Sequence, residues 1–215
     1  ELFSTWAVLI FGWAVVAAFA ALWIVWLVIV NAGTVLYWLQ VLQPAHGIPL
    51  EILFLGLALI NAAALALREW GLRLGADWLQ ARWHRGLLAA AVLVTASAPV
   101  IMLIIDNGHV FERLTSPAMY TAAGIAWLAA IAGGYYAYRR LVPDLLPLAL
   151  GAASVCVIAL TGIGRALFEN HGFGEAANFF LMAFLVIIAA SGAAAWLRRV
   201  SRAMERESGG NHDPA

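Results

Sequence analysis

The sequence predicts an all-α fold: a polytopic membrane protein built as a bundle of six transmembrane helices with one or two short interfacial helices. Three observations carry this prediction: an apolar composition, long uncharged runs, and arginines gathered in alternate loops. Hydrophobic residues make up 64% of the chain and charged residues 11%, against about 45–50% and about 25% in soluble domains. A soluble chain of 215 residues buries too small a share of its surface to hide so much apolar area. A bilayer solvates that area instead.

Six apolar runs are long enough to cross a hydrocarbon core about 30 Å thick. They lie at residues 6–30, 50–67, 86–105, 118–138, 145–168 and 176–197. With their connections they predict a single transmembrane domain, residues 1–198, followed by a polar tail, residues 199–215. The first run is too long for the apolar core of a signal peptide and shows no obvious cleavage site, so we interpret it as a span.

Two segments beside the spans have the composition of interfacial helices. Residues 35–42 are short and mixed, with a tyrosine and a tryptophan, residue types that favour headgroup depth. Residues 68–85 are rich in tryptophan and arginine, and on a helix Arg82 and Arg85 would turn toward lipid phosphates. Both segments are therefore predicted to lie in the plane of the membrane surface.

The arginines predict the orientation of the spans, since all twelve cationic residues are arginines. Ten fall on one side of the six-span scheme: Arg68, Arg73, Arg82, Arg85, Arg139, Arg140, Arg198, Arg199, Arg202 and Arg206. Arg113 and Arg165 fall on the other side. Because basic loops stay in the cytoplasm, the scheme predicts a multi-pass protein of the cell membrane with both termini cytoplasmic.

Polar and small residues inside the spans predict contacts between and along helices. An amide in lipid needs a partner, so Asn61 is expected to bond across to a neighbouring helix. Arg165 precedes Glu169 by four positions, which predicts an ion pair along one helix. Small residues recur every fourth position in the fourth span, at Ala126, Ala130 and Gly134. Such a stripe predicts a close approach of two helices.

Two outward segments combine histidine with carboxylates: residues 106–112 (DNGHVFE) and 169–175 (ENHGFGE). The candidate metal ligands are His109, His171, Asp106, Glu112 and Glu169. If the helix ends neighbour each other, imidazole with carboxylate suits zinc, copper or manganese. The two histidines could instead be axial ligands of a haem near the outer face. The ordinary alternative is that short external loops need polar residues, and no spacing motif accompanies these ones.

The first functional hypothesis is an integral membrane subunit of a larger membrane protein assembly, with a packing or scaffolding role. Apolar and small-residue faces are abundant, whereas polar groups within the spans are few. The expected partners are membrane lipids and other membrane subunits. Nucleic acid is not expected, since lipid headgroups explain arginines and tryptophans that lie beside spans.

Two alternatives belong to other functional classes. One is a small-solute or ion channel or transporter, whose candidate lining is Asn61, Thr95, Ser97, Ser154 and Thr161. The other is a metal- or haem-dependent membrane oxidoreductase subunit that uses the two outward histidines. The chain has no P-loop, HExxH, GxSxG or CxxCH motif, so no catalytic residue is assigned.

Overall fold

The structure, a computed structural model, describes residues 2–43, 50–106, 117–169 and 174–209. Over these residues every regular element is helical. The α-helices are α1 (Leu2–Ala17), α2 (Ala20–Tyr37), α3 (Leu50–Arg73), α4 (Arg82–Asp106), α5 (Pro117–Tyr136), α6 (Leu145–Glu169) and α7 (Glu175–Gly209). Shorter turns adjoin them: π-helical Trp38–Leu42 after α2, 3₁₀ Asp77–Leu79 between α3 and α4, and π-helical Ala137–Leu141 after α5.

Five helical stretches within the described residues are long and apolar enough to cross a membrane. They are Ala20–Leu42, Leu50–Arg73, Trp83–Ile105, Leu145–Glu169 and Ala176–Glu207. The shortest has 23 residues, and at about 1.5 Å per residue it exceeds the thickness of a hydrocarbon core. The described residues are therefore all-helical in their regular structure, and five such helices make the chain a multi-pass membrane protein, as predicted. Because α5 is not among the five, the predicted count of six spans is not confirmed.

The first predicted span, residues 6–30, is not one helix. Ala18 has a left-handed φ of 46° and Phe19 is extended, so α1 ends and α2 begins within the apolar run. The ring of Phe11 lies 6.2 Å from that of Trp23 and 5.2 Å from that of Trp26, which folds α1 back along α2. Nothing in hydropathy marks this break, because every residue around it is apolar and alanine rarely adopts a left-handed conformation.

The segment predicted as the first interfacial helix, residues 35–42, continues α2 instead. Trp38 is buried against Leu53 and Leu57 of α3. Of the two aromatic residues that suggested headgroup depth, Trp38 packs between two helices while Tyr37 is 56% exposed, and the candidate span extends to Leu42.

The second segment predicted to be interfacial, residues 68–85, also belongs to the bundle. Arg68 lies in the last part of α3 and is only 1% exposed, and Leu79 in the 3₁₀ turn is 5% exposed. Arg85 does not face phosphates, because it bonds to the carboxylate of Glu69, sixteen positions earlier. Ion pairs across such a separation leave no local signature in the sequence.

The helices pack around α3 and α4, which make the most extensive contact in the described part of the chain. α6 also packs on α4, while α2 covers α3 and α7 covers α6. Leu27, Ala64 and Leu88 form a buried cluster where α2, α3 and α4 meet. α7 continues to Gly209, so the first part of the predicted polar tail is helical.

Asn61 finds the cross-helix partner that was predicted. Its side-chain amide donates to Asn31 Oδ1 at 3.0 Å, and Asn31 donates back to Asn61 Oδ1 at 3.2 Å. Each amide also donates to its own helix, at Leu27 O and Leu57 O. This reciprocal pair joins α2 to α3 without leaving a buried amide unbonded.

Candidate functional site

An apolar cavity of about 380 Å³ lies where α3, α4, α5, α6 and α7 come together. Large side chains from α3, α4 and α5 form part of its wall, among them Leu65, Val92 and Ile131. An engineered apolar cavity of about 150 Å³ takes up benzene, so this space accommodates roughly two or three groups of that size. The volume falls within the range of about 300–1,000 Å³ found for ligand pockets.

The cavity exists because small residues face one another across it. Three helices each contribute two: Ala130 and Gly134 of α5, Gly151 and Ala152 of α6, and Gly192 and Ala193 of α7. A Cβ built on Gly134 or on Gly192 would meet no atom within 4 Å. At Ala130 and Gly134 the stripe on α5 therefore faces the cavity and does not make the predicted close approach to another helix.

The mouth of the cavity lies between α5 and α7. Both helices line the cavity, yet they make little direct contact with each other. Tyr135 and Trp196 bridge them with ring centroids 6.3 Å apart, and these side chains are 46% and 37% exposed. Lining residues that are this exposed mark an opening toward the outside of the bundle.

An ion pair also links α7 to the turn after α5, one turn beyond Tyr135 and about three turns beyond Trp196. Arg139 donates to both carboxylate oxygens of Glu207, at 2.9 and 2.7 Å. These hydrogen bonds raise the pKa of Arg139 above its ordinary value. The pair lies at the end of the bundle that the sequence predicts to carry ten of the twelve arginines.

Cys156, the single cysteine of the chain, lines the cavity. Its thiol is half-buried, with Sγ 3.9 Å from the carbonyl oxygen of Ala189. Its position in the wall provides a chemical probe of the cavity.

A charged network lies behind the inner wall of the cavity. Arg68 donates to Glu69 at 2.6 Å and to the carbonyl oxygen of Leu79 at 2.7 Å. Arg85 donates to Glu69 at 3.0 Å and to Asp144 at 2.8 Å. Two guanidinium groups thus neutralise two carboxylates where α3, α4 and the start of α6 meet, which is how buried charges are normally tolerated.

Tyr138 separates this network from the apolar cavity. Its ring lines the cavity on one side, while the guanidinium carbon of Arg85 lies 5.9 Å from the ring centroid. With Leu148 and Val200 it forms a buried cluster. Beyond the cluster, a second, more polar cavity of about 380 Å³ is lined by Arg85, Asp144, Ser201 and Glu205, among others.

His84 is fully buried beside this network, and neither ring nitrogen has a hydrogen-bond partner among the described residues. Its ring lies 5.7 Å from that of Trp83. His84 lines neither cavity, so we assign it no role at the site.

The predicted metal or haem site falls largely outside the described residues. His109, Glu112 and His171 lie there, and so does the side chain of Asp106. Glu169 is described, and it accepts hydrogen bonds from Arg165 at 3.0 and 2.8 Å, which confirms the predicted pair. No group of three potential metal ligands occurs within the described part of the chain. The metal and haem hypotheses therefore stay predictions.

The polar side chains predicted to line a solute pathway do not converge on either cavity. Ser97 and Ser154 share a hydrogen bond of 2.8 Å, and Trp127 donates to Ser154 at 3.0 Å. Thr95 and Thr161 each donate to a carbonyl oxygen one turn earlier in their own helix. With Asn61 paired to Asn31, all five predicted lining residues have protein partners.

The apolar cavity was missed by the sequence analysis, although its small residues were visible. Adjacent pairs of small residues recur in the last two spans, at 151–152 and 192–193, each within three turns of the arginine-rich end. Comparisons of the chain with protein-family models, curated proteins and solved structures give no match. The cavity and its surroundings are thus the features from which a function can be argued.

Proposed function

We propose that this multi-pass membrane protein binds a lipid from the surrounding bilayer in the apolar cavity, through the mouth between α5 and α7. The observation that carries the proposal is an apolar space of about 380 Å³ that opens to the side of the bundle. Apolar cavities stay dry. The side-chain atoms that line an empty cavity therefore lack van der Waals partners on that side and lose dispersion energy. A hydrocarbon chain that enters from the bilayer restores those contacts.

The hydrophobic effect alone cannot select such a ligand. Lipid tails are as apolar as leucine, so moving a chain from the bilayer into the protein gains no hydrophobic free energy. Packing against the small residues of α5, α6 and α7 and contacts of the headgroup at the mouth supply the affinity. The small direct contact between α5 and α7, and the exposure of Tyr135 and Trp196 that line the cavity there, support lateral entry from lipid.

We place the arginine-rich end of the bundle in the cytoplasm of a cell-membrane protein, following the positive-inside rule. α2 and α3 run antiparallel, since Asn31 bonds to Asn61 and Trp38 packs on Leu53. α2 therefore begins at the cytoplasmic end. Because α1 folds back along α2, we propose that the start of α1 points outward while the end of α7 lies in the cytoplasm.

Alkylation of Cys156 tests the proposal. The full chain, purified in detergent and stripped of lipid, is treated with N-ethylmaleimide while dioleoyl phosphatidylcholine or dioleoyl phosphatidylglycerol is added, and the rate is followed by mass spectrometry. A bound lipid blocks access to the thiol. By mass action, a free lipid concentration of about four times the Kd should slow alkylation about five-fold.

A matched control separates occupancy of the cavity from bulk effects of lipid. In a Cys156→Ser background, Phe184→Cys places the only thiol on the exposed face of α7, where lipid is expected to give no saturable protection. If neither lipid protects Cys156, or if both thiols are protected equally, the proposal is contradicted.

The second candidate function is the integral subunit of a larger assembly. Phe180, Phe184 and Ile187 lie on one face of α7 and are each more than half exposed, which supports a face that packs against another membrane chain. Gentle detergent extraction should then recover the chain with other polypeptides. Its quantitative recovery as a single chain would remove this candidate.

A further inference from the structure

Arg199 lies on the face of α7 that lines the cavity. It follows Trp196 by three positions and Gly192 by seven, and both of these residues line the cavity. Residues at such spacings share one face of a helix. Arg206 follows Arg199 by a further seven positions and lies on the same face. Arg198, the adjacent residue, is turned about 100° away, at 3.6 residues per turn.

The charges at the mouth do not balance. The turn after α5 carries Arg139 and Arg140, and α7 carries Arg199 and Arg206. The carboxylate of Glu207 is already bonded to Arg139. Arg140, Arg199 and Arg206 are exposed and make no ion pair within the described residues. The charged network around Arg85, in contrast, is neutral and lies behind Tyr138. Four arginines against one carboxylate thus leave an excess of positive charge at the rim of the cavity.

This arrangement complements an amphiphile with an apolar chain and an anionic head. Guanidinium groups bind phosphate through two parallel hydrogen bonds. One arginine near an anionic membrane surface strengthens binding about five-fold. The distance from the cavity to the rim is short. Trp196 lines the cavity, and Arg199 stands at the rim less than one helical turn further along α7.

We propose that the ligand is a phospholipid with a net negative headgroup from the cytoplasmic leaflet, whose chain enters the cavity while its phosphate binds Arg199 and Arg140. This inference rests on the proposed function and adds the class of lipid. The ion pair between Arg139 and Glu207 holds α5 to α7 beside the phosphate site, and Glu207 competes with the lipid for Arg139.

The experiment measures the preference between two lipids that differ only in the headgroup. The full-length chain in detergent is titrated with dioleoyl phosphatidylglycerol and, separately, with dioleoyl phosphatidylcholine, and the Kd of each comes from protection of Cys156 against N-ethylmaleimide. Native mass spectrometry of the same samples counts the bound lipids. We expect phosphatidylglycerol to bind at least about five-fold more tightly, the effect of one arginine.

Neighbouring arginines on α7 give a matched pair of variants. Arg199→Gln should reduce the preference for phosphatidylglycerol about five-fold, whereas Arg198→Gln, which removes the same charge from the same helix, should leave it unchanged. Glu207→Gln should increase the preference, because it frees Arg139. All three side chains are on the surface, where substitutions seldom affect folding.

Each outcome has a distinct meaning. Equal protection by the two lipids overturns this inference and leaves the proposed function standing, while no protection by either overturns both. If the Arg198→Gln and Arg199→Gln variants lose the preference for phosphatidylglycerol equally, the lipid responds only to the overall positive charge of α7. This result overturns the assignment of Arg199 as a phosphate ligand. Protection by oleic acid with none by phosphatidylglycerol overturns the choice of a phospholipid.

Discussion

Two halves of the bundle use small residues to opposite effect. In the closed half (α2, α3 and α4), Ala64 is 3% exposed and packs with Leu27 and Leu88. In the open half (α5, α6 and α7), Gly134 and Gly192 face a space of about 380 Å³. The comparison teaches that a small residue does not itself bring helices together. What it does depends on whether the opposite helix presents a large side chain.

The largest expected effect on the free energy of unfolding comes from replacing an arginine of the closed half, compared with the same replacement in the open half. Arg68 is buried and bonds to Glu69 and to the carbonyl oxygens of Leu79 and Ala81. Arg68→Gln leaves these acceptors with fewer partners, so we expect the free energy of unfolding to fall by about 3 kcal/mol. Titration with sodium dodecyl sulfate, followed by helical circular dichroism, measures the change.

Arg139→Gln is the matched variant in the open half. Its partner, Glu207, is largely exposed, and ion pairs at such positions add little to stability. We expect the unfolding midpoint to stay close to that of the unaltered chain. Similar losses from the two substitutions would remove the distinction between a bonded interior arginine and a rim arginine.

The sequence correctly predicted the features that are determined within a single helical segment. Hydropathy located α3, α4, α6 and α7, because a helix that meets lipid must be apolar over its whole length. Spacing along a helix predicted the pair of Arg165 with Glu169, and the isolation of Asn61 in an apolar run predicted a cross-helix partner. Each of these rests on a requirement that one segment must satisfy by itself.

Features that depend on which helix faces which were not predictable. Arg85 bonds to Asp144, 59 positions later, and nothing in the sequence indicates that these two residues are in contact. The break at Ala18 lies inside a uniformly apolar run, and the turn contains no glycine or proline to mark it. The cavity likewise requires three small-residue faces to meet, which no single span records.

A middle-sized effect tests packing in the two halves directly. Ala64→Leu inserts three carbon atoms into a filled cluster, and overpacking of this kind costs about 1–3 kcal/mol. Ala130→Leu makes the same change on a residue that lines the cavity, where the new side chain has space. We therefore expect unchanged or increased stability, together with slower alkylation of Cys156. A comparable loss of stability in both variants would show that the open half is packed as tightly as the closed half.

The smallest expected effect concerns the polar contact within the closed half. Asn61→Leu leaves Asn31 with only the carbonyl oxygen of Leu27 as a partner, and interhelical hydrogen bonds in membranes contribute about 0.6–2 kcal/mol. Asn31→Leu should cost a similar amount. In the double variant two leucines replace the amide pair, so the combined loss should fall short of the sum by about 1 kcal/mol. Additive losses in this cycle would mean that the two amides bond mainly within their own helices, and that apolar packing alone closes α2 onto α3.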